Sequence, residues 1–279
     1  MTDPALSRRE LLRAGAIAAG YTLAAGPVRA DVISTGSEGL VHGPVEIPVP
    51  DGQIPAYRAR PASGGPSPLV LVVHEIFGVH EYIQDVCRRF AREGYTALAP
   101  DLYQRHGDVR KLTDTREIIG GVVAKVPDAQ VMSDLDASVQ WAGESGEADA
   151  SRVAVTGFCW GGRIVWLYAA HSAQLDAGVA WYGRLVGDTR PQTPKHPIEL
   201  AGSLRAPVLG LYGGRDRGIP VASVEQMRAA LAQHGKPGEL VVYDEASHGF
   251  HADYRPSYDP KAAADGWRRL LDWLRKNGV

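Results

Sequence analysis

The apolar run Val153-Ala154-Val155-Thr156 enters Gly157-Phe158-Cys159-Trp160-Gly161-Gly162 and continues into a helical pattern. A strand feeding Gly-x-Cys-x-Gly and then a helix is the layout of a nucleophile elbow, with sulfur in place of the usual serine oxygen. In such a turn the nucleophile sits strained between strand and helix, and side chains at Gly157 or Gly161 would strike neighbouring backbone. The following helix would aim its free N–H groups and positive dipole end at the sulfur, which favours thiolate and offers donors to an oxyanion. The plainer alternative makes Cys159 a small buried core residue.

An elbow also needs an acid and a base, in the order nucleophile, acid, histidine. Pro207-Val208-Leu209-Gly210-Leu211-Tyr212 reads as a buried strand ending in Gly213-Gly214-Arg215-Asp216, which places a carboxylate on a glycine-rich turn just past a strand. Alone, Asp216 could equally be a turn residue or the cap of the helix starting near Pro220. Leu240-Val241-Val242-Tyr243 is a further strand pattern, followed by a loop holding His248. Asp216 falls 57 residues after Cys159 and His248 a further 32 on, each spacing fitting a strand-helix unit. The three residues therefore compose a candidate triad of nucleophile, orienting acid and base.

Other motifs fall in order along the chain: His74-Glu75-Ile76-Phe77-Gly78 and Ala99-Pro100-Asp101-Leu102-Tyr103 precede the elbow. With the Cys159, Asp216 and His248 segments they resemble the dienelactone hydrolase family, the carboxymethylenebutenolidase-type members of the α/β-hydrolase fold. The resemblance runs from about Pro68 to the C-terminus. It implies a Cys159–Asp216–His248 triad acting on an ester or lactone through a thioester, with no metal or organic cofactor. It also gives Glu75 a catalytic role, because the family's equivalent glutamate faces the resting cysteine and is displaced by substrate as the thiolate forms. Independently, Glu75 follows the apolar run Leu69 to Val73, so its carboxylate belongs at a strand exit on the ligand-binding edge of an open α/β sheet. His74 stands where the family has glutamine and reads as a structural hydrogen-bonding residue. The backbone amides of Ile76 and Trp160 are the expected oxyanion hole.

The substrate-binding residues are less determined. The family holds a substrate carboxylate with two arginines, one of them four residues beyond the histidine, where this chain has Ala252. Tyr254, Arg255 or Tyr258 nearby could replace it, as could Arg105 or Arg116, and a guanidinium fork suits carboxylate. Phe77, Tyr103, Trp160, Trp181 and Tyr182 are expected to line an aromatic pocket. Two further readings stay open: a general carboxylesterase acting on apolar esters, and a non-catalytic ligand-binding relative.

The N-terminus points to export. Arg8-Arg9 precedes Ala14 to Gly26, 13 residues without a charge, and Val28-Arg29-Ala30 reads as a cleavage site. The segment resembles a twin-arginine signal, which implies the twin-arginine export machinery as a partner and a periplasmic or secreted enzyme cleaved after Ala30. As a helix it would span about 20 Å against a bilayer core of about 30 Å, so no permanent anchor is expected. Residues 1–30 are thus read as signal, 31–44 as a linker rich in small residues, and 45–279 as one catalytic domain. Beyond residue 30 the chain carries 26 basic and 30 acidic residues, with no basic stripe or reader motif for nucleic acid. Two cysteines imply no disulfide framework; Cys87 is expected in the core and Cys159 at an accessible site. Strand patterns flank the turn signal Asp51-Gly52, and from Pro68 strands alternate with helical patterns at 129–141 and 221–234. The expected fold is α/β: a mostly parallel sheet flanked by helices, with an antiparallel hairpin at its N-terminal edge.

Overall fold

Leu69, Val70, Leu71, Val72 and Val73 are all fully buried, so both faces of their strand are covered, as a parallel sheet layered by helices requires. Each such side chain contributes roughly 1.5–3 kcal/mol relative to exposure, which explains why the run is apolar rather than alternating. In the computed structural model, residues 32–279 are described. The signal expected at residues 1–30 lies outside them. Among the described residues, no helix is long and apolar enough to cross a membrane.

Eight strands form one sheet: β1 (Leu40–Val49), β2 (Gly52–Pro61), β3 (Ser67–Val73), β4 (Thr96–Pro100), β5 (Ala148–Phe158), β6 (Ala177–Trp181), β7 (Val208–Gly213) and β8 (Gly238–Tyr243). Their order is β1-β2-β4-β3-β5-β6-β7-β8, with β1 and β2 antiparallel and β3 to β8 parallel. The longer helices are α1 (Glu81–Arg92), α2 (Asp128–Glu144), α3 (Trp160–His171), α4 (Val221–Gln233) and α5 (Pro260–Lys276). The chain steps from β3 to β4 in one direction and from β5 onward in the other. The crevice between the exits of β3 and β5 is therefore the switch point at which open α/β sheets bind ligands. Register brings the exits level, pairing Val73 with Gly157, Phe158 with Trp181, and Gly213 with Tyr243.

The expected linker 31–44 is corrected. β1 begins at Leu40, and the residues before it are tied to α1: Thr35 N donates to Asp85 Oδ1 at 2.6 Å, and Arg92 Nη2 donates to the Gly36 carbonyl at 2.8 Å. The strand is inconspicuous in sequence because it lies at the sheet edge, mostly half-exposed, and carries Gly43 and Pro44. Cys87 on α1 is fully buried, as expected.

Candidate active site

The elbow forms because three backbone segments meet where no side chain fits. A Cβ on Gly157 would lie 2.4 Å from the Gly161 carbonyl oxygen, and one on Gly161 would lie 2.3 Å from the Val73 carbonyl oxygen. Cys159 between them takes φ 58° and ψ −112°, a conformation an L-residue adopts only when its surroundings enforce it. Its amide donates to the Trp181 carbonyl at 3.0 Å, which locks the turn to β6. The next residue, Trp160, is the first of α3, so its N–H has no intrahelical acceptor. Ile76 lies in the loop leaving β3, on the other side of the switch point.

Asp216 and His248 come together because the loops leaving β7 and β8 interlock. A Cβ on Gly213 would lie 2.5 Å from the Ala246 carbonyl oxygen, and one on Gly214 would lie 2.6 Å from that of Asp244. The Gly214 and Arg215 amides donate to Tyr243 and Ala246 across this contact. His248 Nδ1 then stands 2.6 Å from Asp216 Oδ2, while Asp216 Oδ1 accepts from the amides of Gly218 and Ile219 at 2.8 and 3.1 Å. Burial alone would lower the pKa of His248. Its interaction with the neighbouring Cys159 sulfur, with hydrogen bonds to Asp216 and Cys159, outweighs it and pushes the value up to about 10.

Glu75 is fully buried and both its oxygens are engaged: Oε1 accepts from Arg255 Nη2 at 3.1 Å and Oε2 from the Tyr254 hydroxyl at 2.5 Å. His80 Nε2 approaches Oε2 at 3.7 Å. Burial would raise the carboxyl pKa, but the Arg255 charge, then His80 and Tyr254, bring it down to about 2. The glutamate is thus an anion held by Arg255 and Tyr254. A buried cation beside it supplies the reason.

The other expected site residues separate into three sets. Tyr103 and Trp160 pack ring to ring at 4.8 Å and both contact His74, a buried residue whose Nδ1 donates to the Glu75 carbonyl at 2.7 Å and whose Nε2 accepts from the Leu102 amide at 3.2 Å. Phe77 lies under the Arg255 guanidinium at 5.1 Å, and Tyr182 packs edge-on to His248 at 5.1 Å. The arginines require correction. Arg105 is committed to Asp134 at 2.8 and 2.9 Å and to Asp51 at 2.6 Å, and Arg255 serves Glu75, so neither stands as a ready anion receptor. Cys159 is only 1% exposed against 0% for Cys87, so accessibility does not separate the two cysteines. His80 was not singled out from sequence; its one signal is its place at the cap of α1, five residues after Glu75 in the same loop.

A cavity of about 240 Å³ opens beside Trp160, bounded by Ile119, Val123, Arg184, Arg190 and His196. No cluster of metal-ligating side chains occurs among the described residues.

A parallel α/β sheet with an elbow at its switch point, and with a carboxylate-held histidine from the exits of β7 and β8, defines a hydrolase of the α/β-hydrolase fold. The dienelactone hydrolase family profile matches residues 54–278, and the chain belongs to that family. It is 60% identical over 275 residues to a Methylorubrum extorquens protein provisionally named carboxymethylenebutenolidase, covering 98% of this chain and 94% of that one. A protein of the same provisional name from Escherichia coli K12 is 52% identical over 260 residues, covering 93% and 96% respectively. Among solved structures, that of a protein from Klebsiella pneumoniae, provisionally described as a dienelactone hydrolase, superposes with a TM-score of 0.83 at 53% identity, covering 85% of this chain and 99% of that one. The chain is a hydrolase of ester or lactone bonds.

Proposed function

We propose that this enzyme cleaves its ester or lactone through a thioester on Cys159. The observation that carries this reading is the geometry around His248: its Nδ1 is 2.6 Å from Asp216 Oδ2, and its ring is hydrogen-bonded to the sulfur of Cys159 at the head of the elbow helix. In this reading His248 takes the Cys159 proton to make the attacking thiolate, with Asp216 holding the ring and its tautomer. The thiolate attacks the carbonyl carbon, and the Ile76 and Trp160 amides receive the developing oxyanion. Collapse breaks the carbon–oxygen bond, and His248 gives its proton to the leaving oxygen. Acylation removes the negative charge from sulfur, and with it the main influence raising the His248 pKa. The neutral imidazole is then the base that draws a proton from water to hydrolyse the thioester. Glu75 contributes a fixed negative charge at the β3 exit, balanced by Arg255. No metal or organic cofactor enters any of these steps.

A general carboxylesterase acting on apolar esters is the second reading: the guanidiniums of Arg105 and Arg255 already hold carboxylates of the protein, although Arg184 and Arg190 border the cavity beside Trp160. Export by the twin-arginine route to the periplasm or beyond, with cleavage after Ala30, is the reading that the Arg8-Arg9 segment supports.

Hydrolysis of p-nitrophenyl acetate by the purified protein and by Cys159→Ala tests the proposal. Activity that disappears with the sulfur is expected. An alanine variant that still turns over at the wild-type rate would remove Cys159 from the chemistry.

A further inference from the structure

Among the described residues two non-glycines have positive φ, Cys159 at 58° and Tyr182 at 38°. They follow the paired strand ends Phe158 and Trp181, so the two strained residues leave the sheet side by side. The strain at Tyr182 has a visible origin. The Trp181 carbonyl is held by the Cys159 amide, the Tyr182 amide is held by the Leu211 carbonyl at 2.8 Å, and the next residue, Gly183, is pressed against Gly162. A Cβ on Gly183 would lie 2.2 Å from the Gly162 carbonyl carbon, so the chain must turn within one residue. Glycine would make that turn without steric cost; a tyrosine there calls for an account of its side chain.

The side chain is fully buried, and its hydroxyl has no hydrogen-bond partner. A buried phenol without an acceptor is less favourable than phenylalanine of the same shape. Its ring meets Phe250 at 5.3 Å and stands edge-on to His248 at 5.1 Å. Tyr182 leaves β6 at the edge where Cys159 leaves β5, which places it on the reaction side of the sheet exits. Strain and an unused donor thus coincide at one residue, next to the imidazole that must meet the substrate.

We propose that the Tyr182 hydroxyl donates a hydrogen bond to the leaving-group oxygen of the scissile ester or lactone. The reading rests on the Cys159–His248 chemistry above. The carbonyl oxygen goes to the Ile76 and Trp160 amides, whereas the leaving oxygen must lie by His248 to receive its proton, and Tyr182 flanks that ring. As the carbon–oxygen bond breaks, its electron pair passes to the leaving oxygen. The proton comes from His248, and Tyr182 keeps its own while stabilising the developing charge. This makes Tyr182 a catalytic residue most needed when the leaving group is a poor one, as an alkoxide is.

Tyr182→Phe tests this, because it removes the oxygen and keeps the ring. With an alkyl ester or a lactone, kcat should fall about ten-fold or more, the order of one hydrogen bond in the transition state. With p-nitrophenyl acetate, whose leaving group needs little assistance, the loss should stay within about three-fold. KM should change little, and the melting temperature should be unchanged or higher. An equal loss on both substrates, or none on either, would overturn the proposal. So would a variant that melts lower or fails to fold, since the hydroxyl would then have an internal partner. Failure of the thioester reading is distinguishable, because it shows as activity surviving in Cys159→Ala.

Discussion

Glu75 and Arg255, 180 positions apart in sequence, meet as a fully buried ion pair at 3.1 Å beneath the switch point of the sheet. The pair does two things: it fixes a negative charge at the exit of β3, and it commits an arginine to a carboxylate of the protein itself. Breaking one half of a buried pair leaves the other charge uncompensated.

Glu75→Gln should therefore destabilise the protein by about 3–5 kcal/mol, measured by chemical denaturation. The double variant Glu75→Gln with Arg255→Met should recover much of that loss, because both charges are then gone. A single variant as stable as wild type would mean that the pair is not buried in solution.

The pH dependence of the pair follows from its sign. The Glu75 pKa is depressed from 4.5 to about 2 on folding, so its contribution is complete above the unfolded value and is lost as pH falls through about 2. His248 runs the other way. Its value is raised from 6.5 to about 10, so its contribution is complete below 6.5 and is lost as pH rises through about 10. For kcat/KM, which reports on acylation by the free enzyme, the imidazolium should persist to about pH 10 and the rate should fall beyond it. Asp216→Asn removes one of the influences raising that value, so the alkaline limb should move to lower pH. A limb that stays in place would take Asp216 out of contact with His248.

Asp216→Asn should also reduce kcat while leaving the fold intact, because asparagine can hold the wrong tautomer of His248 and cannot balance the imidazolium. In a serine triad the same exchange costs about 10⁴-fold in kcat, the worked case for this geometry, and the thiolate nucleophile should soften the loss here. Steady-state kinetics together with a melting curve separates this outcome from simple unfolding. Activity within a few-fold of wild type would contradict the orienting role.

The two cysteines should react unequally although both are buried. Burial pushes the Cys87 thiol pKa up, whereas the sulfur of Cys159 lies at a helix N-terminus beside a positively charged His248. Peptide mapping after iodoacetamide should find label on Cys159 in the native protein and on Cys87 only after unfolding. Native labelling of Cys87 first would contradict that assignment.

What the sequence discloses about this site is set by how local each signal is. β3, β5 and β7 are readable because strands buried on both faces must be apolar, and the elbow is readable because its glycines meet backbone atoms at fixed spacing. Asp216 and His248 follow from the order of strand exits in a parallel sheet. The partners of Arg105 are not readable: Asp134 lies 29 residues away on α2 and Asp51 lies 54 residues back in the hairpin turn. Arg255 and Glu75 pose the same difficulty over a greater span. The conformation of Tyr182 is set by the contact of Gly162 with Gly183, which no local pattern announces. β1 is concealed by its position at the sheet edge, where half-exposed residues mix polar and apolar types.

The most direct test of the central claim is to stop p-nitrophenyl acetate turnover in acid within the first turnovers and map the protein by mass spectrometry. An acetyl group on the peptide that carries Cys159, released by hydroxylamine and absent from Cys159→Ala, is the predicted result. Unmodified Cys159, or an acetyl group on a hydroxyl or amine elsewhere while turnover proceeds, would contradict it.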